Sequence, residues 1–201
     1  MKRLFDILFS VAILIATAPA MLVLAFVIAK KMGRPVLFRQ KRPGLRGEIF
    51  EMIKFRTMTD ARGPDGGLLP DGQRLTPLGG FLRRTSLDEF PEFINVLRGE
   101  MSVVGPRPLM IRYLPRYSPE QARRHEVKPG VTGLAQVNGR NALSWDEKFR
   151  LDVRYVDTHT LWLDLRIIAL TVRKVFVREG ISAEGEATMP EFMGSGNSPE
   201  K

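Results

Sequence analysis

Two adjacent carboxylates, Asp88 and Glu89, stand in the run Arg83-Arg84-Thr85-Ser86-Leu87-Asp88-Glu89-Phe90-Pro91. Ser86 and Glu89 have the spacing of a capping box, which predicts that both acids occupy the first turn of a helix running to about Arg98, with Gly99 as its stop. The dipole and free N–H groups of a helix N-terminus favour the ionised form of such acids. An ionised aspartate can attack phosphorus and form an acyl phosphate. Its neighbour can hold Mg²⁺, an ion that takes oxygen ligands and bridges phosphate oxygens. Arg83 and Arg84 add positive charge where a transferred phosphate needs it. Ordinary capping and simple ion pairing account for the same residues, and Pro91 disturbs the register, so spacing alone leaves both readings open.

Three further clusters carry cations. In Lys54-Phe55-Arg56-Thr57-Met58, strand alternation places Lys54 and Arg56 on one face, suited to a diphosphate or simply to solvent. In Gly105-Pro106-Arg107-Pro108, two prolines restrict the backbone around Arg107. Asn138-Gly139-Arg140-Asn141 is a polar turn with one more arginine. His125 and His159 lack ligand-like spacing and read as structural. The chain has no cysteine, which excludes disulfides, thiolate zinc sites and cysteine nucleophiles. It also lacks GxxxxGK[ST], GxGxxG after a strand, HExxH and GxSxG.

The elements that must position these residues are legible in outline. Val36–Gln40 and Ile49–Phe55 read as strands around the turn Arg42-Pro43-Gly44. Residues 62–72 form a loop. Thr76-Pro77 is an N-cap with a first-turn proline, opening a helix to about Arg84. Ser118-Pro119-Glu120-Gln121 starts a short helix. Residues 128–141, rich in glycine, read as extended and loop-like. Ser144-Trp145-Asp146-Glu147 is a capping box for a helix to about Val156. Leu161 to Val177 is a last helix, apolar over most of its surface with Arg166, Arg173, Lys174 and Arg178 spaced along it, able to pack on the core or to lie among lipid headgroups.

The 201 residues carry a formal charge of +9, which points to an anionic partner. Residues 1–60 hold eleven Lys/Arg and four Asp/Glu, whereas the chain from Gly180 carries four Glu and one Lys and reads as a mobile acidic tail. Ile7 to Ala29 is an apolar run of 23 residues. As a helix it is roughly 34 Å long, against a bilayer core of about 30 Å. A signal peptide, a spanning helix and a re-entrant hairpin compete for it. Pro19, near its middle, removes a backbone bond. Both flanks are basic, with Lys2 and Arg3 before it and Lys30, Lys31 and Arg34 after it. A hairpin keeps both flanks on one side, in keeping with the positive-inside tendency.

Taken together, these stretches resemble the bacterial sugar transferase family, the monotopic phosphoglycosyl transferases, and within it the small PglC-like members. The resemblance runs from Lys2 to about Ala187 and rests on FRQKRPGLRGEIFEMIKFRTM (38–58), RRTSLDEFPEFINVLRGEMSVVGPRP (83–108) and KPGVTGLAQVNGRNALSW (128–145). It implies a small α/β (α+β) cytoplasmic domain joined to an N-terminal re-entrant membrane helix hairpin, with interfacial amphipathic helices. The expected divisions are 1–31 for the membrane helix, 32–179 for the catalytic domain and 180–201 for the tail. It implies that Asp88 attacks the β-phosphate of a UDP-sugar, that UMP leaves, and that polyprenyl phosphate then takes the phosphosugar. Glu89 matches the acidic partner for Mg²⁺. Lys54, Arg83, Arg107 and Arg140 match basic positions expected at phosphate or nucleotide, and Pro19 the membrane bend. The expected partners are the UDP-sugar, polyprenyl (undecaprenyl) phosphate and membrane lipids, with no nucleic acid. The expected place is the cytoplasmic face of the bacterial inner membrane. The sugar suggested is an N-acetylated amino sugar such as N,N'-diacetylbacillosamine. One departure is Ala18, where the family commonly has serine before the proline; Thr17 is the hydroxyl that stands nearest. The rival readings are a lipid-carrier phosphatase or pyrophosphatase, and a membrane-tethered basic adaptor.

Overall fold

The computed structural model describes residues 1–139, 143–177 and 191–194. Its first element, α1 (Lys2–Met32), is one helix with Pro19 inside it and Lys30 and Lys31 in its last turn. It is long and apolar enough to cross a membrane by length and composition. None of residues 11–20 is buried. Proline leaves the carbonyl four residues back without its helical donor. Just before that gap, Thr17 Oγ1 donates to the Ile13 carbonyl at 2.7 Å.

Both ends of α1 are fastened to the rest of the chain. At the start, Lys2 Nζ lies 2.6 Å from the buried Asp164, and Arg3 donates to the Val96 and Leu97 carbonyls. Asp6 is buried and accepts from Ser102 Oγ and the Val103 N–H. At the finish, Ile28 is fully buried with Phe55 and Leu82, and Met21, Leu24 and Met32 pack around them.

β1 (Leu37–Pro43) and β2 (Ile49–Phe55) form an antiparallel hairpin, with Leu37 opposite Phe55 and Pro43 opposite Ile49. The first strand runs three residues further than its sequence suggests. Pro43 stands at its end, and the turn falls instead on Leu45–Gly47, where Arg46 and Gly47 take positive φ. The expected loop over 62–72 ends two residues early, where a short helical stretch begins, α2 (Asp71–Arg74). α3 (Pro77–Thr85) opens as expected: Thr76 Oγ1 accepts from the Gly79 N–H. Next come a 3₁₀ turn (Leu87–Glu89), α4 (Glu92–Arg98) and β3 (Ser102–Val104).

After β3 the chain passes through a 3₁₀ stretch (Ile111–Arg116) and α5 (Pro119–Ala122), which carries a complete capping box from Ser118 and Gln121. The segment expected to be loop-like contains β4 (Gly130–Thr132) and α6 (Leu134–Asn138). β4 pairs parallel with β3, Ser102 against Gly130 and Val104 against Thr132. Three residues per strand are too few for periodicity to announce them. α7 (Trp145–Thr158) begins on the expected Ser144–Glu147 capping box. α8 (Leu161–Val177) buries Asp164 and Ile167 and exposes Trp162, Leu165 and Val172 beside Arg166 and Arg173.

The main core joins Phe50 and Met52 of β2, Val96 of α4, Val103 and Val104 of β3, Tyr155 of α7 and Ile167 of α8. A third cluster holds Tyr113, Phe149 and Phe192. Phe192 falls in the stretch expected to be a mobile tail. Only 3% exposed, it is anchored there by its own apolar burial, in a segment otherwise rich in polar and small residues.

α3 lies against the segment that follows β2 closely enough to forbid a side chain. A Cβ on Gly79 would sit 1.8 Å from the Thr57 carbonyl, while one on Gly80 would meet only Arg84 Nη1 at 3.4 Å. Gly79→Ala is therefore expected to lower stability by about 3 kcal/mol through overpacking. Gly80→Ala should raise it by a few tenths to about 1 kcal/mol through helix propensity. Thermal unfolding of the detergent-solubilised chain checks both, and equal melting temperatures would contradict the close packing.

Candidate active site

The acid pair sits where α3 ends. Ser86 does not cap a following helix. It takes left-handed backbone angles, φ 56° and ψ 18°, and ends α3, with its N–H returned to the Arg83 and Leu82 carbonyls. Leu87–Glu89 is a single 3₁₀ turn, and α4 starts only at Glu92, after Pro91. The expected continuous helix from Leu87 is thus broken in two, because proline cannot donate the bond that would continue it. The expected capping-box contact from Glu89 back to Ser86 does not form among the described residues.

That break aims Glu89 at cations instead. Glu89 Oε1 accepts from Lys54 Nζ at 2.9 Å and from Arg107 Nη2 at 2.6 Å. Lys54 projects from β2 and Arg107 from the loop after β3. Lys54 Nζ also lies 2.9 Å from Glu92 Oε1, out of hydrogen-bond alignment. Arg83, in the last turn of α3, donates from Nε to Thr57 Oγ1 at 3.1 Å, and its charge acts on Asp88. Asp88, Glu89, Lys54, Arg83 and Arg107 are therefore brought together. Arg140 lies outside the described residues. Pro19 is remote in function from this group, inside α1. Arg56, expected to share a face with Lys54, binds the Met58 and Arg34 carbonyls and Asp60, and serves to hold the loop.

Electrostatics separates the acids. Burial and then the neighbouring Glu89 charge push Asp88 up from its ordinary value, against the downward pull of Lys54, Arg107 and Arg83. The direction is opposite to the one expected from a helix N-terminus, because burial and the Glu89 charge outweigh the attraction of the nearby cations. Burial would raise Glu89 too, but Arg107 and Lys54 outweigh it and hold that carboxyl well below the usual range. Glu92, 1% exposed, is pushed up to about 7 by burial, with Lys54 opposing. Burial would lower Lys54, yet Glu89 and Glu92 raise it, so it stays charged.

Two residues unremarked in the sequence matter here. Glu92 stands three positions after Glu89, and helical spacing would have flagged it. Asn95 is fully buried, accepts from the Ile53 N–H at 3.0 Å and donates to the Glu51 carbonyl at 2.7 Å, locking α4 onto β2. Its sequence carries no such signal, because the contact is tertiary.

As to metal, no group of three His, Cys, Asp or Glu side chains able to hold an ion occurs among the described residues. Mg²⁺ does not require one, since it binds through one or two carboxylates with substrate phosphates and water. Both cation contacts of Glu89 fall on Oε1, which leaves Oε2 for such an ion. The donor set fits.

A family model described as bacterial sugar transferase matches residues 1–178. The uncharacterized sugar transferase EpsL of Bacillus subtilis is 54% identical over 197 residues, covering 98% of each chain. The UDP-glucose:undecaprenyl-phosphate glucose-1-phosphate transferase of Klebsiella pneumoniae is 42% identical over 188 residues, 89% of this chain and 40% of that protein. The undecaprenyl-phosphate galactose phosphotransferase of Salmonella typhimurium is 37% identical over 197 residues, 90% of this chain and 41% of that protein. The chain thus spans about two-fifths of the length of these last two relatives.

Removing the shared cation should expose the cost of the two acids it serves. Lys54→Met is expected to lower stability by about 3 kcal/mol, because the buried Glu92 loses the cation that lies against it. Adding Glu92→Gln should recover part of that loss. Glu92 also carries a pH signature. The folded chain keeps its proton to about 7, whereas an ordinary glutamate releases it near 4.5. Between those values the unfolded chain binds fewer protons, so this contribution falls as pH rises across the window. Melting temperatures of wild type and Glu92→Gln from pH 4.5 to 7.5 test the sign: the variant should lose less stability across that range.

Proposed function

The chain belongs to the bacterial sugar transferase family, and from that premise we propose that it transfers a sugar 1-phosphate from a UDP-sugar to undecaprenyl phosphate, releasing UMP. The observation that carries this reading is the acid pair, the buried Asp88 beside a half-buried Glu89 whose charge Lys54 and Arg107 hold in place. The relatives named for their reactions point the same way, toward undecaprenyl phosphate as acceptor and glucose or galactose as the sugar. The donor is a UDP-linked hexose or its N-acetylated amino form; the motifs favour the second and the relatives' names the first.

In the first step, Asp88 attacks the β-phosphorus of the donor. A bond forms from its carboxylate oxygen to phosphorus, the bond to the bridging oxygen breaks, and UMP leaves with that electron pair. In the second, a phosphate oxygen of the lipid attacks the same phosphorus and Asp88 departs as carboxylate. No net proton moves on the enzyme. Lys54, Arg83 and Arg107 surround the acids and offset the negative charge of the transferred group. Arg140 is assigned to the nucleotide by its motif alone. Magnesium held by Glu89 and the diphosphate would neutralise charge building on the departing UMP. Burial raises Asp88, and the charges of Lys54, Arg107 and Arg83 oppose that shift, favouring the carboxylate form that attacks.

We assign residues 1–31 to a re-entrant membrane helix and 32–179 to catalysis. Support comes from the two ends of α1, both bound to the same soluble body, with the unburied apolar stretch 11–20 between them. A helix crossing the bilayer would carry one of those ends to the far side. Basic side chains and Trp162 on the exposed face of α8 suit the headgroup layer. We assign the site to the cytoplasmic face, where an acceptor phosphate and a soluble donor meet.

UMP release by the purified chain, with Mg²⁺, undecaprenyl phosphate and a donor panel, tests the reaction. The panel should include UDP-glucose, UDP-galactose, UDP-N-acetylhexosamines and UDP-N,N'-diacetylbacillosamine. Asp88→Asn is expected to lose at least about a thousandfold in rate, as removal of a nucleophile does. Full activity in that variant would sink the covalent step, and inorganic phosphate in place of UMP would favour the phosphatase reading. For the membrane helix, the cysteine-free chain permits single-cysteine labelling in intact cells. Leu4→Cys and Lys31→Cys should both resist an impermeant periplasmic maleimide, whereas labelling of Leu4→Cys alone would establish a spanning helix.

A further inference from the structure

Beyond residue 178, where the family match ends, Glu191–Gly194 lies against the domain. Phe192 is 3% exposed. Its ring lies 4.9 Å from that of Phe149, 5.5 Å from Trp145, and 5.8 Å from both Tyr113 and Tyr117. The backbone is gripped as well: Arg116 Nη1 donates to the Phe192 carbonyl. The Glu191 carboxylate pairs with Arg112 at 3.0 Å and Arg116 at 2.8 Å. A buried aromatic with two ion pairs and a backbone bond beside it is a built docking site, not a chance touch.

The rings that receive Phe192 also hold a buried arginine. The Arg124 guanidinium is 5.5 Å from the Phe149 ring centroid and 5.7 Å from that of Tyr117. Its Nη1 donates to the Tyr117 hydroxyl at 3.1 Å, and its Nη2 pairs with Asp152 at 2.7 Å. The same Nη2 donates to the Arg107 carbonyl at 2.8 Å. Arg107 in turn reaches Glu89 at 2.6 Å. Contact is unbroken from Phe192 to the acid pair: Phe192, the Tyr117 and Phe149 rings, Arg124, Arg107, Glu89. Removing Phe192 would open space beside those rings and admit water next to a guanidinium that is 3% exposed.

We propose that the Glu191–Met193 segment is an intramolecular clamp whose docked Phe192 positions Arg107 for the transfer reaction. Phe192 touches no reacting atom in this scheme; it acts through Arg124 on the Arg107 backbone. The inference rests on the transferase reading for its kinetic readout alone.

The test compares full-length wild type, Phe192→Ala, Phe192→Leu, Arg107→Ala and the Phe192→Ala/Arg107→Ala double variant. Phe192→Ala should raise KM for the UDP-sugar about tenfold, a fraction of what a misplaced group can cost, with kcat changed less. Phe192→Leu, which refills the site, should recover most of that. With Arg107 already removed, Phe192→Ala should add little, since the two act in one chain of contacts. Full additivity, or an unchanged KM in Phe192→Ala, overturns the clamp and leaves the transferase reading standing. If Phe192→Ala folds poorly, Glu191→Gln, which loosens only the surface ion pairs, should shift KM the same way by a smaller factor. A wild type that releases no UMP overturns the transferase reading instead. The clamp is then decided by hydrogen exchange: the segment spanning Arg107 should lose protection in Phe192→Ala, and unchanged protection overturns it.

Discussion

One oxygen atom, Glu89 Oε1, accepts from two cations that reach it from distant parts of the chain. A carboxylate withdrawn from water keeps its charge only if partners are brought to it. Lys54 stands 35 residues before it and Arg107 18 residues after it. Neither can be near without tertiary structure. The β1–β2 hairpin delivers the first, and the β3–β4 pair with its following loop delivers the second. Asn95 then ties α4, which carries Glu92, to the strand that carries Lys54. Much of the architecture between residues 37 and 132 serves to assemble these charges around one acid pair.

The placement of Arg107 depends on backbone packing as much as on charge. Gly105 N–H donates to the Thr132 carbonyl at 2.9 Å, and Gly130 N–H to the Pro106 carbonyl at 3.0 Å. A Cβ at Gly130 would lie 2.1 Å from the Gly105 nitrogen. Two motifs far apart in sequence are thereby laid backbone to backbone, and no side chain fits between them. Arg42 donates to the Pro108 carbonyl, and Arg124 to that of Arg107. The loop is held from several sides before its guanidinium meets Glu89. Burial, and then the Arg107 charge, push Arg42 down to about 10 and Lys148 down to about 8. The surroundings of Arg107 are crowded with cations, a field that favours an anionic substrate.

Local chemistry was readable where it is local. Thr76-Pro77, Ser118–Gln121 and Ser144–Glu147 begin helices as their side chains dictate, because capping bonds span three residues. The hairpin strands were visible from β-propensity, but their turn was misplaced by proline: Pro43 tolerates the end of a strand, and the turn waits for Arg46 and Gly47. β3 and β4 escaped notice because a three-residue strand has no period to detect. At the site, the acids and their cations could be named from motifs. Their division of labour could not, since the upward shift of Asp88 and the downward shift of Glu89 arise from contacts across the fold. Phe192 was hidden for a similar reason: a lone aromatic in a polar stretch gives no hint of the cage that receives it.

The two fastened ends of α1 carry a mechanical consequence. A body hung from one tether can swivel freely, so its reactive face samples every heading. A body gripped at Lys2, Arg3 and Asp6 on one side and at Ile28 and Met32 on the other retains little more than a rocking freedom about the line joining the grips. With the proposed insertion, that line runs along the bilayer surface. The catalytic group would then keep a nearly constant altitude above the lipid plane, and an acceptor diffusing in two dimensions would need no search in the third.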